Sequence, residues 1–435
     1  MCTNKLSLPL NHSNYKDLIE DNCYYVDKTS LLKAFFMEDS SSALLIARPS
    51  GFGKSLTLSM FKAFLSLNYA DPGNISCQQR LFKNTQILKK SKFCEKFMGK
   101  FPVIFLSLKS IRADSFDEAY TQLTKLISNL IKEYSFLQES TVLDEYDKQD
   151  FNELVELYDN SRDPYSKVSL HYCLRTLIRL LAIHFKHKCI LLIDDYDEPL
   201  AYALTCGYFK ELFDVLCPIY CDACISNDEY LYKAVLTGTI RSTNIDIAEL
   251  DKITFNSVLC TNTELAKGFG FTKEDLHALL TYYSLEDDFQ ELEKQCGGYN
   301  FSNTNMFNPY SVVQCCSRKL FNKYSSKESD IKLTASNFEA VIENLIAKLK
   351  HTPPVYKNLL DLLEGKAIRE KVSYQIDYLS LEHERSHELI SLLVNTGLLT
   401  VSSPSTFNVD KEPLDFQIPN EDAKQTLSQI LSKHS

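Results

Sequence analysis

A lysine and a hydroxyl residue directly after closely spaced glycines are suited to holding phosphate, and residues 48–56 read Arg48-Pro49-Ser50-Gly51-Phe52-Gly53-Lys54-Ser55-Leu56. The apolar run Ala43-Leu44-Leu45-Ile46-Ala47 precedes them, and a helical pattern follows to residue 67. A buried strand that turns through small residues into a helix start aims backbone N–H groups and the positive end of the helix at an anion. Gly51 and Gly53 admit backbone angles closed to other residues. The Lys54 ammonium would reach the β- and γ-phosphates of ATP, and the Ser55 hydroxyl would ligate Mg²⁺. Pro49, Ser50, Phe52 and Leu56 complete the stretch expected to contact the nucleotide. Arg48 stands where G-x-x-x-x-G-K-[ST] has its first glycine, so the loop alone does not decide the matter.

The second place where chemistry could sit is Cys189-Ile190-Leu191-Leu192-Ile193-Asp194-Asp195-Tyr196-Asp197. An apolar run ending in acids describes a buried strand whose carboxylates emerge at the C-terminal edge of a sheet, where α/β proteins bind ligands. Asp194 would there share the Mg²⁺ with Ser55. Asp195 is the expected carboxylate that orients or deprotonates the attacking water. Thr237 ends a further apolar run and would sense the γ-phosphate, while Arg241 would neutralise charge that develops on it. The plain structural reading makes the same residues loop acids, a strand-end hydroxyl and a surface ion pair. Agreement between the sites favours the chemical reading, because loop and acidic strand end occur in the order one phosphate pocket needs. Arg48 keeps two readings, a phosphate contact or a cap on the sheet edge.

The elements that must position these residues follow from periodicity. Apolar runs near residues 43–47, 101–108, 189–193 and 232–239 alternate with helical patterns near 56–67, 116–134, 168–185 and 200–224. That alternation predicts an α/β fold with a parallel sheet flanked by helices on both faces. Residues 24–29 read as a short extended piece before a helix capped at Thr29 or Ser30. The acidic stretch 138–163 reads as a surface insertion with little effect on the core. From about Cys260 the pattern is helical to residue 349, broken at residues 296–301 and at Asn308-Pro309-Tyr310. Helices and short extended pieces follow, and suggest a small winged-helix-like domain. The expected divisions are residues 1–260, a helical lid at 261–349 and the winged-helix-like domain at 350–435.

This motif set resembles one family, the bacterial AAA-ATPase-like proteins, which usually carry a degraded PD-(D/E)XK nuclease-like domain behind the ATPase. The resemblance rests on Tyr25-Val26-Asp27-Lys28-Thr29, on Arg48-Pro49 with Phe52-Gly53-Lys54-Ser55-Leu56-Thr57, and on Leu192-Ile193-Asp194-Asp195-Tyr196-Asp197 with Pro199. It continues through Thr237-Gly238 with Arg241, Gly270-Phe271-Thr272, Gly298-Tyr299 with Phe301, Asn308-Pro309-Tyr310-Ser311, Gly397 to Thr400 and Ile418-Pro419-Asn420. It covers nearly the whole chain. The resemblance implies an ASCE-type P-loop NTPase core with Walker A and Walker B motifs, binding ATP and Mg²⁺. An arginine in place of the first loop glycine is usual in that family. Three departures stand out. Ser50-Gly51 replaces two basic residues, and Asp195 replaces a glutamate. After Asn420 no acidic pair is followed by E-x-K, and the sequence ends about where the nuclease-like domain would start. Aspartate is one methylene shorter than glutamate, and a misplacement of about 1 Å can cost on the order of 10²-fold in rate. The alternative expectation is therefore a hydrolysis-poor scaffold, a pseudo-ATPase that recruits a protein partner.

Bulk properties narrow the field further. With 47 basic against 57 acidic residues the net charge is −10, which argues against a broad nucleic-acid footprint. No apolar run approaches bilayer-spanning length. Residues 1–11 lack the apolar core of a secretory leader, so the 14 cysteines read as reduced thiols in the cytoplasm. Cys217, Cys221 and Cys224, with Cys206 upstream, have spacing that fits one helix face better than a zinc site. No H-E-x-x-H or G-x-S-x-G pattern is present. The expected partners are ATP and a protein, with nucleic acid unfavoured, no membrane, and the oligomeric state open.

Overall fold

Side-chain alternation sets the centre of the molecule. In the computed structural model four apolar runs form strands β1 (Ala43–Ala47), β2 (Val103–Ser107), β3 (Cys189–Asp194) and β4 (Leu231–Gly238). Two short strands follow, β5 (Arg241–Ser242) and β6 (Ile253–Asn256). Five of these make one parallel sheet in the order β2-β3-β4-β1-β6. The structure describes residues 5–38, 41–156, 166–224, 229–242, 253–259, 263–324, 337–349, 353–373, 375–377, 386–402 and 412–433. The expected boundaries at residues 260 and 350, residues 157–163 of the acidic stretch and residues 403–406 lie outside these.

Successive strand residues point to opposite faces, and each face is covered. Leu44, Ile46, Val103, Ile190, Leu192 and Val235 pack with Phe61, Phe64, Phe82 and Phe97. Leu45, Ile104, Leu106, Leu191, Ile193 and Leu236 face the other way, toward Leu123, Ile127, Leu174, Leu177, Leu212 and Leu216 of the helices Phe116–Lys132, Ser166–Phe185 and Phe209–Cys224. Burying a side chain of this size stabilises by about 1.5–3 kcal/mol. This is the expected parallel sheet flanked by helices, with β6 as an additional strand beyond β1.

Two local expectations change. The pattern at residues 200–224 is two helices, Glu198–Cys206 and Phe209–Cys224, because Gly207 adopts a left-handed cap at φ 81°. The acidic stretch is not peripheral to the core. Its helix Glu145–Glu156 buries Phe151 and Leu154, and Arg179 of the neighbouring helix pairs with Asp147 and Asp150. Mean polarity hid an apolar residue placed once per helical turn.

The later part of the chain closes on the earlier part. Leu276, Leu280, Phe307, Val312 and Cys316 form a separate cluster against Leu8, Leu10, Tyr24 and Val26. The breaks read at residues 296–310 are an antiparallel hairpin of Tyr299–Phe301 and Thr304–Met306. Helix Asn337–Leu349 packs on helices Glu198–Cys206 and Ser386–Asn395. Leu414–Gln417 lies between Thr400–Val401 and Ile368–Glu370 in a three-stranded antiparallel sheet. Gln375–Ile376 pairs in parallel with β5. Among the described residues no helix is long and apolar enough to cross a membrane.

Because Phe151 is fully buried, Phe151→Ala should destabilise the chain by about 3–5 kcal/mol, read as a fall in midpoint on thermal unfolding. A midpoint within 1 °C of the parent would return residues 145–156 to the role of a surface insertion.

Candidate functional site

β1 ends at Ala47, and the chain turns through Gly51 (φ 83°) and Gly53 (φ 80°) before helix Lys54–Leu65 begins. Backbone in this left-handed region suits glycine because a Cβ would clash locally. At Gly51 space is closed as well, since a Cβ would stand 2.5 Å from Asn308 Oδ1. Asn308 Nδ2 donates to Ser50 O (3.1 Å), and the Tyr310 N–H donates to Gly51 O (3.3 Å). Phe52 is buried beneath the loop, with its ring 5.0 Å from Tyr299 and 5.1 Å from Phe301. Its side chain anchors the loop from inside. Arg48 is fully buried and faces inward: its guanidinium donates to Ala47 O (2.8 Å) and Asn256 Oδ1 (2.5 Å) and lies over Phe269. Of its two readings, the cap on the sheet edge is the one observed.

The order of the strands brings the acids to this loop. β4 lies between β1 and β3, pairing Ile46 with Thr237 and Ile193 with Leu236. Asp194 at the end of β3 is buried, and the Thr237 hydroxyl donates to its Oδ1 (2.8 Å). Ser107 at the end of β2 donates to Oδ2 (3.4 Å). The Ser55 hydroxyl stands near the Asp194 carboxyl, and the Lys54 ammonium acts on it by charge. Lys54 is itself buried and donates to Arg48 O (2.8 Å) and Pro49 O (3.3 Å). Lys54, Ser55, Asp194 and Thr237 therefore meet at one place.

Electrostatics there are dominated by excess carboxylate. Burial and the neighbouring Asp195 push the Asp194 carboxyl up, against the nearby Ser55 hydroxyl, the Thr237 hydrogen bond and the Lys54 charge. Asp197 is pushed up to about 7 by burial, although its Oδ2 accepts from the N–H groups of Thr239 (2.7 Å) and Ile240 (2.8 Å). Those bonds make Asp197 a brace for the turn after β4. Asp195 takes a left-handed conformation at φ 52°, and among the described residues its carboxylate receives no such bonds.

Beside these groups lies a cavity of about 670 Å³, bounded by Ser50 to Thr57, by Asp195, Glu198, Lys109, Arg112 and Thr239, and by Leu10, Val26, Phe271 and Val313. Its size falls in the ~300–1,000 Å³ range of small-ligand clefts. Thr237 serves Asp194 from the buried side. Arg241 stands over the Phe255 ring at 5.0 Å and is not part of the cavity wall. Sequence reasoning missed Lys109, Arg112 and Glu198. Lys109 and Arg112 follow the C-terminal end of β2, on the same sheet edge as Asp194, so the rule that located the acids could have found them.

Hydroxyl and carboxylate oxygens from Ser55 and Asp194 are a hard-donor set of the kind Mg²⁺ prefers. Among the described residues no group of three or more His, Cys, Asp or Glu side chains is placed to hold a metal ion by itself. The Cys217 and Cys221 thiols lie 3.8 Å apart on one helix, and Cys224 is buried in the core. A family model described as predicted AAA-ATPase matches residues 9–248, more than half of the chain. No curated protein matches it.

Asp197 supplies a pH test. A carboxyl raised in the folded state binds a proton there more tightly than in the unfolded chain, so its share of stability is full below about pH 4 and is lost as pH rises through about 7. Asp197→Asn should flatten that part of the stability–pH curve, measured by denaturant unfolding from pH 4 to 8. An unchanged slope would mean the carboxyl titrates normally.

Proposed function

Since the chain belongs to the predicted AAA-ATPase family, we propose that it binds ATP over residues 49–56 and hydrolyses it with Mg²⁺. In this reading the loop is a Walker A motif and the end of β3 a Walker B motif. The N–H groups at the start of helix Lys54–Leu65 and the Lys54 ammonium hold the phosphates. Ser55 and Asp194 hold Mg²⁺, which when bound supplies charge neutralisation for the triphosphate. Thr237 fixes the Asp194 carboxyl, and Asp195 orients the attacking water. Arg241 has a weaker claim to a phosphate role, because its cation stands over Phe255 outside the cavity wall. The observation that carries the reading is the convergence of Lys54 and Ser55 on a buried Asp194 carboxyl, which the Thr237 hydroxyl fixes, next to a ligand-sized cavity.

Residues 261–349 act as a lid and residues 350–435 as a winged-helix-like end. Nucleotide state reaches both through Asn308, Tyr310 and Tyr299, which touch the loop directly. The length of Asp195 favours a second reading, a hydrolysis-poor scaffold that presents a nucleotide-dependent surface to a protein.

Removing the Lys54 ammonium deletes charge-assisted hydrogen bonds worth about 1.5–3 kcal/mol, so Lys54→Ala should weaken binding of a fluorescent ATP analogue by about 10–100-fold. Equal affinity for both proteins would overturn the proposal. Phosphate release from the parent, lost in Lys54→Ala, would mark the enzyme. ATP-induced thermal stabilisation without phosphate release would mark the scaffold.

A further inference from the structure

Asp194, Asp195, Asp197 and Glu198 crowd the end of β3, and their partners divide them by task. Asp194 is occupied by Thr237 and Ser107. Asp197 is occupied by the backbone of Thr239 and Ile240. Asp195 and Glu198 are left on the cavity wall. Among the described residues no hydrogen bond or ion pair fixes the Asp195 carboxylate. Glu198 is fixed: Arg112 Nη2 donates to its Oε1 at 2.9 Å. Arg112 is held in turn, with its N–H donating to Gln122 Oε1 (3.0 Å) and its carbonyl accepting from Gln122 Nε2 (3.1 Å). Glu198 opens helix Glu198–Cys206, and both Lys54 and Asp195 are near enough to act on its carboxyl by charge. Its side chain also has the methylene that Asp195 lacks.

We infer that Glu198 is the general base of the ATPase, that Arg112 is its positioning residue, and that this arrangement compensates for the short Asp195. The inference rests on the ATPase reading above. As the water oxygen bonds to the γ-phosphorus, one water proton passes to the Glu198 carboxylate. The bond from the γ-phosphorus to the β–γ bridging oxygen breaks, and its electron pair leaves with ADP. The proton then passes from Glu198 to solvent. Burial and the nearby Asp195 raise the Glu198 carboxyl above its ordinary value against the opposing charges of Arg112 and Lys54, which brings a base closer to its working pH.

The test uses the full chain, with phosphate release and fluorescent-ATP binding measured on each variant. Glu198→Gln keeps the shape but cannot take a proton, and should slow phosphate release by about 10²–10⁴-fold while ATP-analogue affinity stays within about threefold. Adding Asp195→Glu to Glu198→Gln should recover at least about tenfold of that loss. Arg112→Ala should lower kcat with KM for ATP unchanged, and Arg112→Lys should restore part of it. Release at the parent rate in Glu198→Gln overturns the proposal, as does loss of binding in step with rate. A rise in KM alone for Arg112→Ala would overturn the positioning role. A parent protein that binds ATP and releases no phosphate overturns the base while leaving nucleotide binding intact. A parent that binds no ATP overturns the ATPase reading itself.

Discussion

The loop between Ala47 and Lys54 holds two residues in left-handed backbone, a conformation that persists where the surrounding structure holds it. Its shape is imposed from outside. Asn308 Nδ2 and the Tyr310 N–H donate to the carbonyls of Ser50 and Gly51, Phe52 is wedged among Tyr299 and Phe301, and Gly397 brings its backbone against Pro49. Every other feature of the site depends on that constraint, because the position of Lys54 and Ser55 follows from where the loop delivers the helix start. Segments more than two hundred residues downstream therefore help to shape the loop.

The same convergence explains several motifs that look unrelated along the sequence. Gly298 leaves room for the carbonyl of Pro419, and Asn420 Nδ2 donates to Gly297 O (2.7 Å). Gly270 approaches the Phe52 ring. These glycines and polar turns sit around the loop and its aromatic anchor rather than in separate sites. A change in loop shape on ligand binding would have to be shared with the hairpin at Tyr299–Phe301 and the elements behind it, since packed interiors do not deform locally.

Charge at the site is out of balance in a way that has meaning. Four carboxyls stand near one buried ammonium and one arginine, and burial with mutual repulsion raises Asp194, Asp197 and Glu198. Fixed negative charge in a low-dielectric setting is costly without added positive charge. A divalent cation arriving with a nucleotide offsets that cost, which fits the donor set of Ser55 and Asp194 to the proposed use of Mg²⁺.

Sequence alone determined four of the five central strands, because short apolar runs such as Ala43 to Ala47 and Cys189 to Ile193, alternating with helical patterns, fit strands buried on both faces of a parallel sheet. It also singled out Gly51, Gly53, Lys54, Ser55 and Asp194, since strand-end position and residue type are local properties. It misjudged residues 145–156, where averaged polarity concealed one buried face. Tertiary structure alone decided which strand lies between β1 and β3, that Arg48 turns inward to Asn256, that Arg241 stands over Phe255, and that Arg112 pairs with Glu198 at the cavity wall. Those outcomes depend on contacts between residues tens to hundreds of positions apart, and no local pattern of side chains encodes them.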